Sequence, residues 1–316
     1  MVARMGLREL VDEVPNWLAV QGFPPDTFFH DGAGDMYMVR DAHAHVRPLS
    51  DGDVRRVWDG MGGSRRATLG DVRGAIHLVA RSNPRDLMAE AYDGLPQWDG
   101  VGRSSELLHV LAGAVDDELS RCVSDVWLES TVQRAMSPGC DSDYGLMLVG
   151  HDVVRCTDFL RALRVGDDSL VEVLPWSPTR SYLTAVELGR NVMIVSNLPK
   201  VTGETAAVRF CHFVSRCEDR YLPVTRSGHP CIDRRFVVAG VLPPGCYLET
   251  SKHNRRLMKI RPDFRSAGIR YDSREGREYV RQAFAEVVCR WRSHIVDGTE
   301  WHPYPDRDLE QFIATL

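Results

Sequence analysis

The chain has 316 residues, a net charge of −5 and 43% apolar side chains, enough for a full core in one or two domains and ordinary for a globular protein. No apolar run approaches the ~20 residues of a membrane span, and the opening MVARMGLRELVDEV mixes acids with its apolar residues, unlike a signal peptide. The eight cysteines form no C-x-x-C pair, which excludes a sequence-readable zinc site or disulfide framework and fits a reducing cytoplasm.

Residues 1–50 alternate short apolar runs with Gly, Pro and Asp, and predict a small irregular opening region. Thr68, followed three residues on by Asp71, predicts a capped helix over 69–82 that Asn83-Pro84 ends. Residues 92–103 read as a turn-rich connector. Helices are predicted within 104–136, through Leu107, Leu108, Leu111, Val123, Val126 and Trp127, and Pro138-Gly139 stops them. The acids Asp116, Asp117 and Glu118 read as helix N-terminal charge.

An apolar run, Leu146–Val149, then ends in Gly150, a loop and an amphipathic helix. That is the strand–loop–helix frame of a phosphate-binding loop, G-x-x-x-x-G-K-[ST]. Gly150 and Thr157 hold their places, but Arg155 stands for the second glycine and Cys156 for the lysine. Buried strands are predicted at 189–198, 234–242 and 256–260, a helix at 203–216 and a long amphipathic helix at 274–294. Strands alternating with helices imply an α/β domain with a mostly parallel sheet, preceded by a smaller, mainly helical N-terminal region. The expected divisions are a leader (1–103), a core (104–270, with a helical lead-in at 104–137) and a C-terminal helical region (271–316).

Arginine outnumbers lysine 36 to 3. Residues 209–265 hold 12 basic and 5 acidic side chains, a local balance of +7, which is a candidate nucleic-acid footprint on an acidic chain. His43 and His45 share one side of an extended segment but have no carboxylate or Cys partner in sequence, so a surface turn is the preferred reading.

The order of these pieces resembles the virulence-associated protein E family. LPQWDGVGR (95–103) is similar to L-x-W-D-G-x-x-R, Pro138-Gly139-Cys140 with Asp143 to P-G-C-K-x-D, FCHFVSRCEDRYLP (210–223) to K-x-F-[IL]-S-x-x-x-D-x-[YF]-R-x-P-Y, and YLETSKHNRRLMKI (247–260) to f-L-x-D-x-T-G-N-R-R-F. With the leader spacing at 48–92, the likeness spans roughly 50–262. It implies a P-loop NTPase core of the AAA+ or superfamily 3 helicase type, from a phage or mobile element, working in DNA replication.

The departures from that pattern fall on nucleotide chemistry. A P-loop lysine reaches the β- and γ-phosphates, and acids on a later strand hold Mg²⁺. Here the acid positions are Ser196 and Asn197, the polar residue after the next strand is Pro243, and the family lysine before the aromatic is Cys211. The resemblance thus implies vestigial nucleotide contacts at Gly150, Arg155, Cys156 and Thr157, no catalytic residue and no cofactor. It places Tyr221, Arg226, His229, Arg234 and Arg235 on a DNA-facing segment, and Asn254, Arg255 and Arg256 at a subunit edge or in structural pairs. The leading expectation is a pseudo-ATPase that binds DNA or a replication protein as a monomer or weak homo-oligomer, away from any membrane. The alternatives are an active, divergent ATP- and Mg²⁺-dependent helicase, and an interaction module that inhibits a host or competitor replisome.

Overall fold

The computed structural model describes residues 5–21, 23–24, 26–32, 36–40, 46–63, 67–166, 171–176, 190–196, 198–220, 231–250 and 256–297. The chain divides into two compact units, residues 1–87 and 88–316.

The first unit is α+β. Helices α1 (Leu7–Val20), α2 (Asp51–Gly60) and α3 (Leu69–Ser82) accompany a four-stranded sheet, β3 (Val46–Pro48), β2 (Met36–Arg40), β1 (Phe28–Asp31) and β4 (Pro84–Arg85) in that order. Helix outweighs strand in this unit, as expected, whereas the sheet and α1 correct the expectation of an irregular opening over residues 1–50. Pro15 lies inside α1 and breaks the signal that a helix usually gives; the strands are too short for a clear alternation. The α3 helix begins and ends as its sequence predicts. Thr68 Oγ1 accepts from Asp71 N at 3.1 Å, and the Asp71 carboxylate accepts from Thr68 N at 3.1 Å, a reciprocal capping box.

The second unit is built on five parallel strands, ordered β11 (Leu257–Ile260), β5 (Gly145–Val149), β10 (Val237–Leu242), β7 (Val192–Ser196) and β6 (Val171–Pro175). Helices cover both faces, which is why the central strands read as unbroken apolar runs. Leu146, Leu148, Ile194, Ala239 and Ile260 pack with α5 (Leu107–Ala112), α6 (Glu118–Met136), α7 (Val153–Ala162) and α10 (Arg274–Asp297). The alternate residues Met147, Val149, Met193, Val195 and Val238 pack with α8 (Glu204–Val214). Gly240 is needed at that contact, because a Cβ there would lie 2.6 Å from Leu198 Cδ1. Among Asp116, Asp117 and Glu118, Asp117 caps α6, its carboxylate accepting from Ser120 N at 2.7 Å.

Residues 88–103 pack with the second unit rather than with a leader. Met88 and Tyr92 lie in its core, and Tyr92 Oη donates to Asn191 Oδ1 at 2.7 Å. The long helix α10 packs on α5 and α6 in the same core, so it is part of this unit and not a separate region.

Candidate functional site

In a parallel sheet the carboxyl ends of all strands face one edge, where ligands of α/β folds bind. Here that edge gathers the three positions singled out in the sequence. Val149 is in register with Leu242, and Gly150 N donates to Leu242 O at 3.0 Å, which sets Gly150 beside Pro243. Val195 is in register with Gly240, so Ser196 lies one strand further along. Asn197 lies outside the described residues.

The loop after β5 is short because α7 starts early, at Val153 with Asp152 as its cap. A phosphate cradle needs free backbone N–H groups and an unopposed helix dipole. Here Asp152 Oδ1 accepts from Arg155 N at 3.0 Å, Asp152 O from Cys156 N at 3.0 Å, and His151 O from Val153 N at 3.1 Å. The helix N-terminus already holds an anion, and that anion is its own carboxylate.

The side chains complete the closure. Cys156 is 1% exposed, and its Sγ lies 3.2 Å from where a Cβ on Gly150 would sit. Burial, with Asp152 close by, pushes its thiol up to about 11, so it is neutral at pH 7. Arg155 turns outward, with its guanidinium carbon 4.8 Å from the Phe264 ring centroid and Nη2 3.4 Å from Phe264 O. Thr157 falls inside the helix and its Oγ1 donates back to Val153 O at 2.8 Å. The exposed face of this first turn is apolar, with Val153 46% and Val154 72% accessible. Pro243 O accepts from Cys246 N at 3.2 Å, closing the turn after β10, and Cys211 is buried against Met147 and its neighbours.

The basic segment separates into unlike parts. Arg234 is 1% exposed. Its Nε donates to Asp219 Oδ2 at 2.7 Å, its Nη2 donates to Asp219 Oδ1 at 2.5 Å, and its Nη1 donates to Phe213 O at 2.5 Å. The guanidinium packs against both the Phe213 and Phe236 rings, 4.6 and 4.4 Å from their centroids. This corrects its expected place among phosphate contacts: the side chain is a buried structural ion. Arg235 is half-buried. Tyr221, Arg226, His229, Asn254, Arg255, His43 and His45 lie outside the described residues. Arg256 pairs with Asp143 at 3.1 Å, joining two of the motifs that carried the family resemblance.

Several polar side chains with structural weight give little signal in sequence. Arg134, fully buried, donates to Arg216 O at 2.9 Å and Arg234 O at 3.4 Å. Glu286 accepts from Arg103 N at 2.6 Å, Ser104 N at 3.0 Å and Ser104 Oγ at 3.0 Å, docking the W-D-G turn onto α10. Within that turn Arg103 donates to Asp99 through its two terminal guanidinium nitrogens, at 2.7 and 2.8 Å. A glutamate inside the run AFAEVV (283–288) was the available cue. Burial, opposed by Arg290 and reinforced by Asp125 and Glu286, pushes Glu129 up to about 8; Arg290 lies 3.3 Å from it and 3.2 Å from Asp125. Among the described residues no cluster of His, Cys, Asp and Glu is placed to hold a metal ion, and no helix is long and apolar enough to cross a membrane.

A parallel sheet covered by helices on both faces defines the α/β class of fold. Residues 92–312 match the family model of the virulence-associated protein E-like domain, and the chain belongs to that family. The match starts at Tyr92 rather than near residue 50 and runs past 262 through α10. No curated protein matches the chain. Among solved structures, the chain is similar to the A form apo structure of the NrS-1 C terminal region, with TM-score 0.50 and 10% identity over 96% of this chain and 74% of that one. A second A form apo structure of that region (305–718) gives TM-score 0.46 at 10% identity, over 95% and 72% of the two chains.

Proposed function

We propose that this chain is a helicase-like protein of the AAA+ type, encoded by a phage or mobile element, whose nucleotide site has lost its phosphate chemistry. It acts in DNA replication or its control by binding DNA or a replication protein, and it does not hydrolyse ATP. The P-loop ancestry rests on the strand–loop–helix frame at 145–162 and on the side-by-side placement of Gly150, Pro243 and Ser196.

The observation that carries the reading is Asp152. Its carboxylate occupies the helix N-terminus that a phosphate would need, and like charges repel there. Arg155, Cys156 and Thr157 each have another engagement: a ring, a buried packing site and a helix carbonyl. Ser196 and Asn197 lack the carboxylates that would hold Mg²⁺ at those positions. We expect a monomer or weak homo-oligomer, since no nucleotide bridges subunits.

DNA contact is assigned to Tyr221, Arg226, His229 and Arg235, with the local positive balance as its support. The test is fluorescence anisotropy with a labelled oligonucleotide across a salt series, alongside phosphate release from ATP. We expect no phosphate release and a steep salt slope. Arg226→Ala with Arg235→Ala should flatten that slope by about 1.4 on single strands, at about 0.7 per phosphate contact. A salt-independent complex, or an unchanged slope, overturns the DNA assignment and favours the protein-interaction alternative. Steady phosphate release lost in Thr157→Ala overturns the pseudo-ATPase reading.

A further inference from the structure

The first unit carries a surface that the reading above does not use. Along α3, Arg73, His77 and Arg81 recur every four residues, so they share one face, spread over about 12 Å of helix axis. The opposite face, Val72, Ala75, Ile76, Val79 and Ala80, is buried. The polar face meets Tyr37 of β2. The His77 imidazole stacks on the Tyr37 ring with centroids 3.8 Å apart and planes 2° from parallel. His30 of β1 leans on the far part of the group, 5.3 Å from Tyr37 and tilted by 58°. Arg81 sits 5.7 Å from the Tyr37 centroid.

Flat rings are thus held in a fixed stack, with a guanidinium one helical turn to either side of His77. Arg73 is engaged only at the surface, 2.8 Å from Asp51, whose side chain is 87% exposed. Such a pair contributes little and exchanges readily for another anion. Burial, then the charges of Arg73 and Arg81, pushes His77 below its ordinary value. The ring therefore stays neutral near pH 7, which suits stacking rather than phosphate pairing.

Cations interleaved with stacked aromatic rings are the recognition chemistry of single-stranded nucleic acid, where bases offer their faces and phosphates run alongside. We infer that the α3 face of the first unit is a single-strand nucleic-acid contact, with a base extending the Tyr37–His77 stack and phosphates meeting Arg73 and Arg81. A duplex keeps its base faces covered and fits this surface poorly. The inference does not depend on the state of the loop at 150–157, nor on the 221–235 segment.

The experiment uses the full chain and a fluorescein-labelled single-stranded deoxyoligonucleotide in a salt series, with a duplex of the same sequence as comparison. Arg73→Ala with Arg81→Ala should weaken single-strand binding at least 10-fold and lower the salt slope by about 1.4. His77→Ala should weaken it roughly 5-fold or more, and His77→Phe, which keeps a flat ring, should restore it. Asp51→Asn, which frees Arg73 from its competitor, should tighten binding. Unchanged affinity and slope in a folded Arg73→Ala/Arg81→Ala protein overturns the inference. So does failure of His77→Phe to restore binding that His77→Ala lost, or duplex binding as tight as single-strand binding. Loss confined to Arg226→Ala/Arg235→Ala leaves only the 221–235 assignment standing; loss confined to the α3 variants overturns that assignment instead.

Discussion

The two edges of the parallel sheet contrast sharply in chemistry. The amino edge is dense with paired charge: Arg234 with Asp219, Arg134 on two carbonyls, Arg256 with Asp143, and Tyr92 with Asn191. Gly139, at φ +79°, adds its N–H to Arg234 O at 3.0 Å. The carboxyl edge, where ligands of α/β folds bind, is closed by local contacts instead: Asp152 caps α7, Cys156 is buried, Pro243 O closes the turn after β10, and Val153 and Val154 face outward. The residues that carry the family resemblance are concentrated in the first group and in the docked W-D-G turn. Those residues hold the fold, whereas the proposed loss of phosphate chemistry falls on the opposite edge.

Disturbing the amino edge should have the largest effect. Arg234→Ala leaves Asp219 as an unpaired buried charge and should cost about 3–5 kcal/mol, measured by urea unfolding followed by circular dichroism. A loss below about 1 kcal/mol would mean that this edge is not the scaffold described. Glu286→Ala, which strands the Arg103 and Ser104 amides, should cost about 1–3 kcal/mol and loosen the W-D-G turn to hydrogen exchange.

A smaller effect has the opposite sign. Between the ordinary carboxyl range and about 8, folded Glu129 holds a proton that the unfolded chain has released. Stability therefore falls as pH rises through that window. Glu129→Gln should remove this slope and raise stability at pH 8 relative to the parent chain. A slope that persists in the variant places the titration elsewhere. Smallest of all, Arg155→Ala should cost at most about 1 kcal/mol, the worth of an exposed cation–ring contact, in a thermal melt. A large loss there would show the carboxyl edge to be more than a closed turn.

Much of the second unit was legible. Apolar runs rich in β-branched residues marked β7 and β10, and capping residues marked α3 and α6, because those signals act locally. Edge strand β6, only five residues long and carrying Glu172, gave no comparable run. In the first unit Pro15 masked α1. The candidate loop was legible as residues but not as geometry. Sequence spacing set Thr157 at the head of a helix, whereas Asp152 caps α7 earlier and draws the whole motif into its first turns. Arg234 looked like surface charge because nothing local reveals Asp219 across a hairpin, 15 positions away. Arg73, His77 and Arg81 share an obvious spacing, but their meaning depends on Tyr37, from another element.

Isothermal titration of Mg-ATP into the intact chain tests the central claim most directly. The emptied carboxyl edge predicts no saturable heat up to about 1 mM nucleotide, a limit equivalent to about −4 kcal/mol of binding. Saturable binding at micromolar nucleotide that Thr157→Ala abolishes would contradict it.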